Sequence, residues 1–176
     1  MVNNKNYQNV ALSILFIIIS AFAIYKMWSV GPCDKPLTIR LVNLDSEFRL
    51  SRGQAIDIIK QSIDIWNNNT GKEVASYDDR GDMPINFTYK TVSDLIIHSS
   101  DSSSRQIEQG NFENNSITIY DYQDKNSLIR LISHEIGHAI GLDHVSNSES
   151  IMYYLDSGTE LKLSDEDITE YKKVCE

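Results

Sequence analysis

The sequence predicts an α+β fold, or an α/β one, with helices packed on a small, twisted mixed β-sheet. Three observations carry that prediction. Short segments with alternating apolar residues are interleaved with segments whose apolar residues recur every three or four positions. The chain has 176 residues, room for one domain and a short appendage. Its apolar content of 41% is enough to build a core. A formal charge of -9 argues against a nucleic-acid partner, which requires a basic face. Acidity of this size otherwise reads as ordinary solubility.

From the N-terminus, residues 1–9 form a short tail. Val10 to Tyr25 carries no charge, and extended to Trp28 it approaches the ~20 residues needed to cross a bilayer. Tyr7 on one side and Tyr25 and Trp28 on the other suit the two membrane interfaces, and Lys26 is placed to snorkel. Residues 10–28 are therefore expected to be a transmembrane anchor, with the rest of the chain outside the cytoplasm. The alternative is a signal segment cleaved after Ala23, within the small-x-small stretch Ala21-Phe22-Ala23, which leaves a secreted protein. Residues 29–36, with one Gly and two Pro, read as a linker into a domain spanning residues 37–176. Cys33 and Cys175 stand at its two ends. Joined, they would close a long loop, stabilising the fold by about 4–5 kcal/mol in the chain-entropy model. That bond persists only in an oxidising compartment; two free thiols are the other reading.

Within the domain, "LTIRLVNL" alternates and predicts a strand. Ser51 to Asn67 predicts a helix, because Ile56, Ile59, Ile63 and Trp66 repeat at helical spacing, and the run Asn67 to Gly71 ends it. "MPINFTYK" predicts a strand with Ile85, Phe87 and Tyr89 on one face. The serine-rich stretch that follows reads as loop, with a short strand near Arg105 to Glu108, and "SITIYDY" as another strand. A second helix is expected to start at an Asn126 or Ser127 cap and to stop at Gly141. A third is expected from Ser164, with Asp165, Glu166 and Asp167 in its first turn.

Three of the four histidines fall within "HEIGHAIGLDH", His134 to His144. His134 and His138, four apart on the second helix, share a face one turn apart, the spacing of two ligands to one zinc ion. Glu135 points about 100° away from His134 around the helix. It stands beside the metal without ligating it, as suits a general base acting on a zinc-bound water. Gly141 tolerates positive φ, so the chain can reverse there and bring back His144 as third ligand. Three protein ligands leave a fourth position open, the arrangement of a catalytic zinc site. The remaining histidine, His98, reads as an ordinary loop residue.

"HEIGHAIGLDHVSNSESIMYY" resembles the zinc site and Met-turn of the metzincin peptidases, closest to the matrixins, the catalytic domains of matrix metalloproteinases. Met152, eight residues after His144, is similar in spacing to the Met that underlies the zinc site in that family. "LTIRLVNL" with the Trp66 helix resembles the start of a matrixin domain, and "LKLSDEDI" its last helix. The resemblance implies a metzincin-like (zincin) fold over residues 37–176, one catalytic Zn2+ on His134, His138 and His144, and peptide or protein substrates. The sequence departs from the family in several places. It shows no His and Asp set for a second, structural zinc and no support for calcium, and a cysteine-switch prodomain is not expected in it. Cys33 in "GPCDKP" faintly resembles a cysteine switch but lies close to the first strand, which favours the disulfide. Tyr153-Tyr154-Leu155 follows Met152 without the Pro of the matrixin specificity wall. Tyr154 is instead similar to a tyrosine that astacin-type metzincins place near the zinc; packing in the wall is the plainer role for Tyr153 and Tyr154.

The sequence is thus expected to encode a monomeric, membrane-anchored zinc endopeptidase that hydrolyses peptide bonds, with an extended substrate adding to an edge strand near Ser103 to Glu108. The alternatives are an extracellular zinc-binding module without turnover, which would not need Glu135, and a zinc hydrolase of a non-protein amide.

Overall fold

The computed structural model describes Ile14, Phe16, Ile17 and Ser20, and residues 33–90, 96–98, 105–107, 109–155 and 158–176. The domain is built on a five-stranded sheet. Its strands in chain order are β1 (Leu37–Leu44), β2 (Ala75–Tyr77), β3 (Met83–Phe87), β6 (Gly110–Glu113) and β7 (Ser116–Ile119). In space they run β2-β1-β3-β7-β6. The first four in that order pair in parallel, and β6 is an antiparallel edge strand. A separate antiparallel pair, β4 (Ile96–His98) and β5 (Arg105–Ile107), lies in the chain between β3 and β6. The helices are α1 (Arg52–Thr70), α2 (Lys125–Ala139) and α3 (Asp165–Cys175).

Alternation along the strands decides which face of the sheet is covered. Ile39 and Leu41 of β1, Ile85 and Phe87 of β3, and Ile117 and Ile119 of β7 are buried, and their neighbours on the other face are at least partly exposed. That apolar face packs against α1 and α2. On α1, Ile58, Ile59, Ile63 and Trp66 form the buried stripe. The helix has sharp ends: Ser51 and Gln54 make a reciprocal capping box, and Gly71 at φ 69° closes the last turn. Two buried serines set α1 close to α2. Ser62 Oγ lies 3.0 Å from Ile129 O, and Ser133 Oγ 3.3 Å from Ser62 O. The Trp66 indole N–H donates to Ser133 O at 2.8 Å, so no buried polar group there lacks a partner.

Cys33 and Cys175 are bonded, with Cα atoms 5.2 Å apart. The bond ties the segment leading into β1 to the end of α3. Of the apolar stretch 10–28, only Ile14, Phe16, Ile17 and Ser20 are described, and these are helical. The rest of the expected anchor lies outside the described residues. Among the described residues, no helix is long and apolar enough to cross a membrane.

The structure departs from the sequence expectations at element ends and edges. Helix α1 continues to Thr70, because Asn67, Asn69 and Thr70 turn their side chains onto nearby carbonyls and stay helical. Strand β3 stops at Phe87, and Tyr89 is exposed rather than on the buried face. The cap of α2 is Asp124, which accepts from the amides of Asn126 and Ser127; Ser127 is the other half of the capping box. His98 lies in β4 rather than in a loop. The strand near Arg105 pairs with β4 in a separate two-stranded sheet, so it is not the edge of the main sheet that packs against the histidine helix. That edge is β6, which joins β7 through a two-residue turn at Asn114 and Asn115. Both have positive φ, which asparagine tolerates well.

Candidate active site

Helix α2 sets the position of His134, Glu135 and His138. It ends in a Schellman turn: Gly141 N–H donates to His138 O at 2.9 Å and Leu142 N–H to Gly137 O at 3.0 Å. Gly141 holds φ 93°, a conformation that strains residues with a Cβ. The reversal turns the carbonyl of Leu142 back to His138 Nδ1, at 2.9 Å, and carries His144 alongside the helix.

The three imidazoles converge. The Nε2 atoms of His134 and His138 are 3.0 Å apart, those of His138 and His144 3.1 Å, and those of His144 and His134 3.3 Å. These are not mutual hydrogen bonds. His134 Nδ1 donates to Ile151 O at 2.7 Å and His138 Nδ1 donates to Leu142 O. A neutral imidazole with its proton on Nδ1 has only a lone pair on Nε2. Two lone pairs facing each other at 3.0 Å repel unless a cation lies between them. Three corners of a tetrahedron with metal–nitrogen bonds of about 2.0–2.1 Å are themselves about 3.3 Å apart. The donor set therefore fits a zinc ion, and the carbonyl partners fix the tautomer that a metal requires.

Electrostatics point the same way. Burial drives the His134 pKa down from 6.5 to about 3, against the opposing pull of its bond to Ile151 O. Burial, and secondarily the neighbouring His138, also lowers that of His144. Both shifts favour neutral, ligating imidazole.

Glu135 is buried, on the side of α2 that faces β6. A Cβ built on Gly110, the first residue of β6, would lie 3.0 Å from Glu135 Oε1 and 3.0 Å from Leu131 Cδ1. The carboxylate and the sheet edge are therefore in contact. In the β6–β7 hairpin the two-residue turn makes Glu113 and Ser116 the closing hydrogen-bonded pair, with Asn111 and Thr118 the next. The backbone N–H and C=O of Gly110 and Phe112 consequently point away from β7, onto the open edge.

The floor of the site is the turn at Ser150 to Tyr153. Met152 is fully buried, and its carbonyl accepts from Val145 N–H at 2.9 Å. Its sulfur packs where a Cβ on Gly137 would stand, beside the Trp66 ring. Glycine between the two helix histidines is thus a packing requirement. Beyond Met152 the chain emerges. Tyr153 is half-buried and Tyr154 is 50% exposed, their rings 4.6 Å apart. The hydrogen bond between the two phenols raises the Tyr153 pKa above its usual value.

Three residues that hold this floor were not singled out as site residues by the sequence reading. Arg130, one turn before His134, is buried, and its guanidinium donates to the carbonyls of Ser150 and, at 3.0 Å, Glu160. Asp167, fully buried, accepts from the amides of Ile151 and Met152, each at 2.9 Å. Gly137 is the third. Arg130 did leave a trace in the sequence, as a charge inside the apolar run "SLIRLI". Asp167 left none, because its place three residues after Ser164 reads as ordinary helix capping.

Comparison with known proteins agrees with this geometry. The family model described as matrixin matches residues 33–175. The "Probable matrix metalloproteinase 095L" of Invertebrate iridescent virus 3 is 43% identical over 54 residues, 30% of this chain and 15% of that protein. A protein also provisionally named a matrix metalloproteinase, from Trichoplusia ni ascovirus 2c, is 40% identical over 58 residues, 33% of this chain and 12% of its own length. The matched stretches thus cover less than a sixth of either viral protein. The family match takes in both cysteines, the whole sheet, the histidine helix and the Met152 turn, and by it the chain belongs to the matrixin family.

Proposed function

We propose that the chain is a zinc-dependent endopeptidase. One observation carries the reading: three Nε2 lone pairs meet at 3.0–3.3 Å while two of the Nδ1 protons are committed to carbonyls, with a buried carboxylate on the next residue of the same helix. His134, His138 and His144 would hold one Zn2+. Bound there, zinc would supply a Lewis acid able to polarise a scissile carbonyl and lower the pKa of a water. Glu135 takes a proton from the attacking water and delivers it to the leaving amine. Its burial against Gly110 and Leu131 keeps it close to the substrate strand. An extended peptide adds to the open edge of β6, using the outward N–H and C=O groups of Gly110 and Phe112. Tyr153, Tyr154 and Leu155 form the wall that the substrate side chains meet.

The Glu135→Gln variant tests this directly. It keeps size and hydrogen bonding but removes the base, so it should retain zinc and lose peptide hydrolysis by about 10²- to 10⁴-fold. Hydrolysis at the wild-type rate would remove Glu135 from the mechanism.

We also propose that the domain works outside the cytoplasm, held by residues 10–28 as a membrane anchor. The bond between Cys33 and Cys175 supports an oxidising compartment. N-terminal sequencing of the mature protein, with carbonate extraction of membranes, distinguishes a retained anchor from release after Ala23.

A further inference from the structure

Two consecutive peptide groups under the site are each gripped at both ends. In the Ser150–Ile151 peptide, the carbonyl accepts from Arg130 and the N–H donates to Asp167 Oδ2 at 2.9 Å. In the Ile151–Met152 peptide, the carbonyl accepts from His134 Nδ1 at 2.7 Å and the N–H donates to Asp167 Oδ1 at 2.9 Å. Arg130 and His134 lie one turn apart on the same face of α2, so a cation and a ligand imidazole hold neighbouring carbonyls of one turn. Asp167 is itself fixed. Its Oδ2 also accepts from Ser164 N at 2.8 Å and Ser164 Oγ at 3.0 Å, and it is completely buried.

We propose that Asp167 is a positioning residue for the zinc ligand His134, acting through the Ile151–Met152 peptide bond. A carboxylate that accepts a peptide N–H polarises that peptide and makes its carbonyl a stronger acceptor, because hydrogen bonds in series reinforce one another in a low-dielectric interior. The stronger carbonyl pulls harder on His134 Nδ1–H, fixes that tautomer, and makes Nε2 a better metal donor. The arrangement does for His134 what a directly bonded carboxylate does for many metal-ligating histidines, with one peptide group interposed. His138 provides the contrast within the same site. Its Nδ1 bonds to Leu142 O, in the peptide between Leu142 and Asp143. The proposal rests on the zinc reading above, and wild-type zinc binding tests that reading separately.

The experiment compares zinc affinity, by competition with a chromophoric chelator, for the full chain and for two variants. Asp167→Asn keeps the shape but loses the charge and one acceptor facing an amide. Its zinc affinity should fall by about 10- to 100-fold, the usual cost of losing an outer partner of a ligand. Ser164→Ala loses contacts to Asp167 but leaves its carboxylate on the two amides, so its zinc affinity should stay within about twofold of wild type even where its melting temperature falls. A purely structural role predicts that affinity follows stability in both variants, and that result would overturn the proposal. Should Asp167→Asn not fold, amide NMR of the wild-type chain decides. The Met152 N–H shares its peptide with the carbonyl that binds His134, and the Ile151 N–H does not. Both donate to Asp167. Zinc loading should shift the Met152 amide proton clearly more than the Ile151 one; equal shifts, or none, would contradict the relay. Wild-type protein that binds no zinc would defeat the zinc reading instead.

Discussion

The floor of the site and the exposed lip that follows it lie on one short turn and are built on opposite terms. Ile151 and Met152 are 1% and 0% exposed, with their backbone groups bonded to His134, Asp167 and Val145. Two residues later, Tyr154 is 50% exposed, and Leu155 is 37% exposed. The floor is over-determined by partners from two helices, as a metal site must be, since a ligand displaced by a fraction of an ångström is lost. The lip is built of exposed side chains, where, on the proposed function, a change would alter what is recognised without disturbing the metal. On that reading, chemistry and selectivity would be separated within five residues.

The predictions probe that separation, beginning at the histidine that joins the floor to the metal. Acid should undo the floor of the metal-free chain. Unfolded His134 takes up a proton below about pH 6.5, whereas the folded residue stays neutral down to about pH 3. Between those values the unfolded state binds more protons, so stability is fully present above pH 6.5 and declines as the pH falls towards 3. Denaturant titration of the chelated protein at pH 7 and pH 4.5 should show a loss of order one to three kcal/mol. Equal stability at both would mean that His134 is not buried as described. Zinc should steepen the pH dependence, because protons then compete with the metal.

Next is the bond that closes the domain. Replacing Cys33 and Cys175 by Ser should cost about 2–5 kcal/mol and lower the melting temperature without changing the zinc stoichiometry, measured side by side on one preparation. Loss of zinc in the folded variant would show that the bond reaches the floor as well.

Gly137→Ala tests the packing of the floor. In an open helix Ala is better than Gly by roughly 1 kcal/mol. Here the added methyl enters the space of the Met152 sulfur and the Trp66 ring, and overpacking of this kind costs about 1–3 kcal/mol. Net destabilisation is expected, seen as a lower denaturation midpoint; a gain would show that the Met152 turn yields easily. The smallest effect on stability should come at the lip. Tyr154→Ala should leave zinc binding and melting temperature almost unchanged, within about 0.5 kcal/mol, while changing the cleavage preference across a peptide library. An unaltered preference would take Tyr154 out of the wall.

The same contrast explains what could be read from the sequence. The cradle was legible because it rests on local geometry. Spacing of four on a helix, a glycine where the chain reverses, and a histidine three residues later determine the convergence of His134, His138 and His144 without any long-range contact. Helices α1 and α2 were legible by their apolar repeats, though the cap of α2 was placed two or three residues late, and α3 by its Ser164 cap and acidic first turn. Strands β2 and β6 were not, because three or four residues such as "ASY" and "GNFE" carry too little alternation, and pairing with β1 and β7 makes them strands. The edge strand was consequently expected too early, near Ser103 to Glu108. The supports of the floor were hidden for a related reason. Arg130, Gly137 and Asp167 act on residues 15 to 30 positions away, or across helices, and only the fold brings those partners together.

The central claim is that the three histidines hold one zinc ion that activity requires. The most direct measurement is metal analysis of the full chain with zinc-edge X-ray absorption, alongside peptide hydrolysis before and after exhaustive chelation. The account predicts one zinc per chain with three imidazole nitrogens at about 2.0–2.1 Å, activity lost on chelation, and activity restored by zinc. Undiminished hydrolysis by the metal-free chain, or zinc bound through other residues, would contradict it.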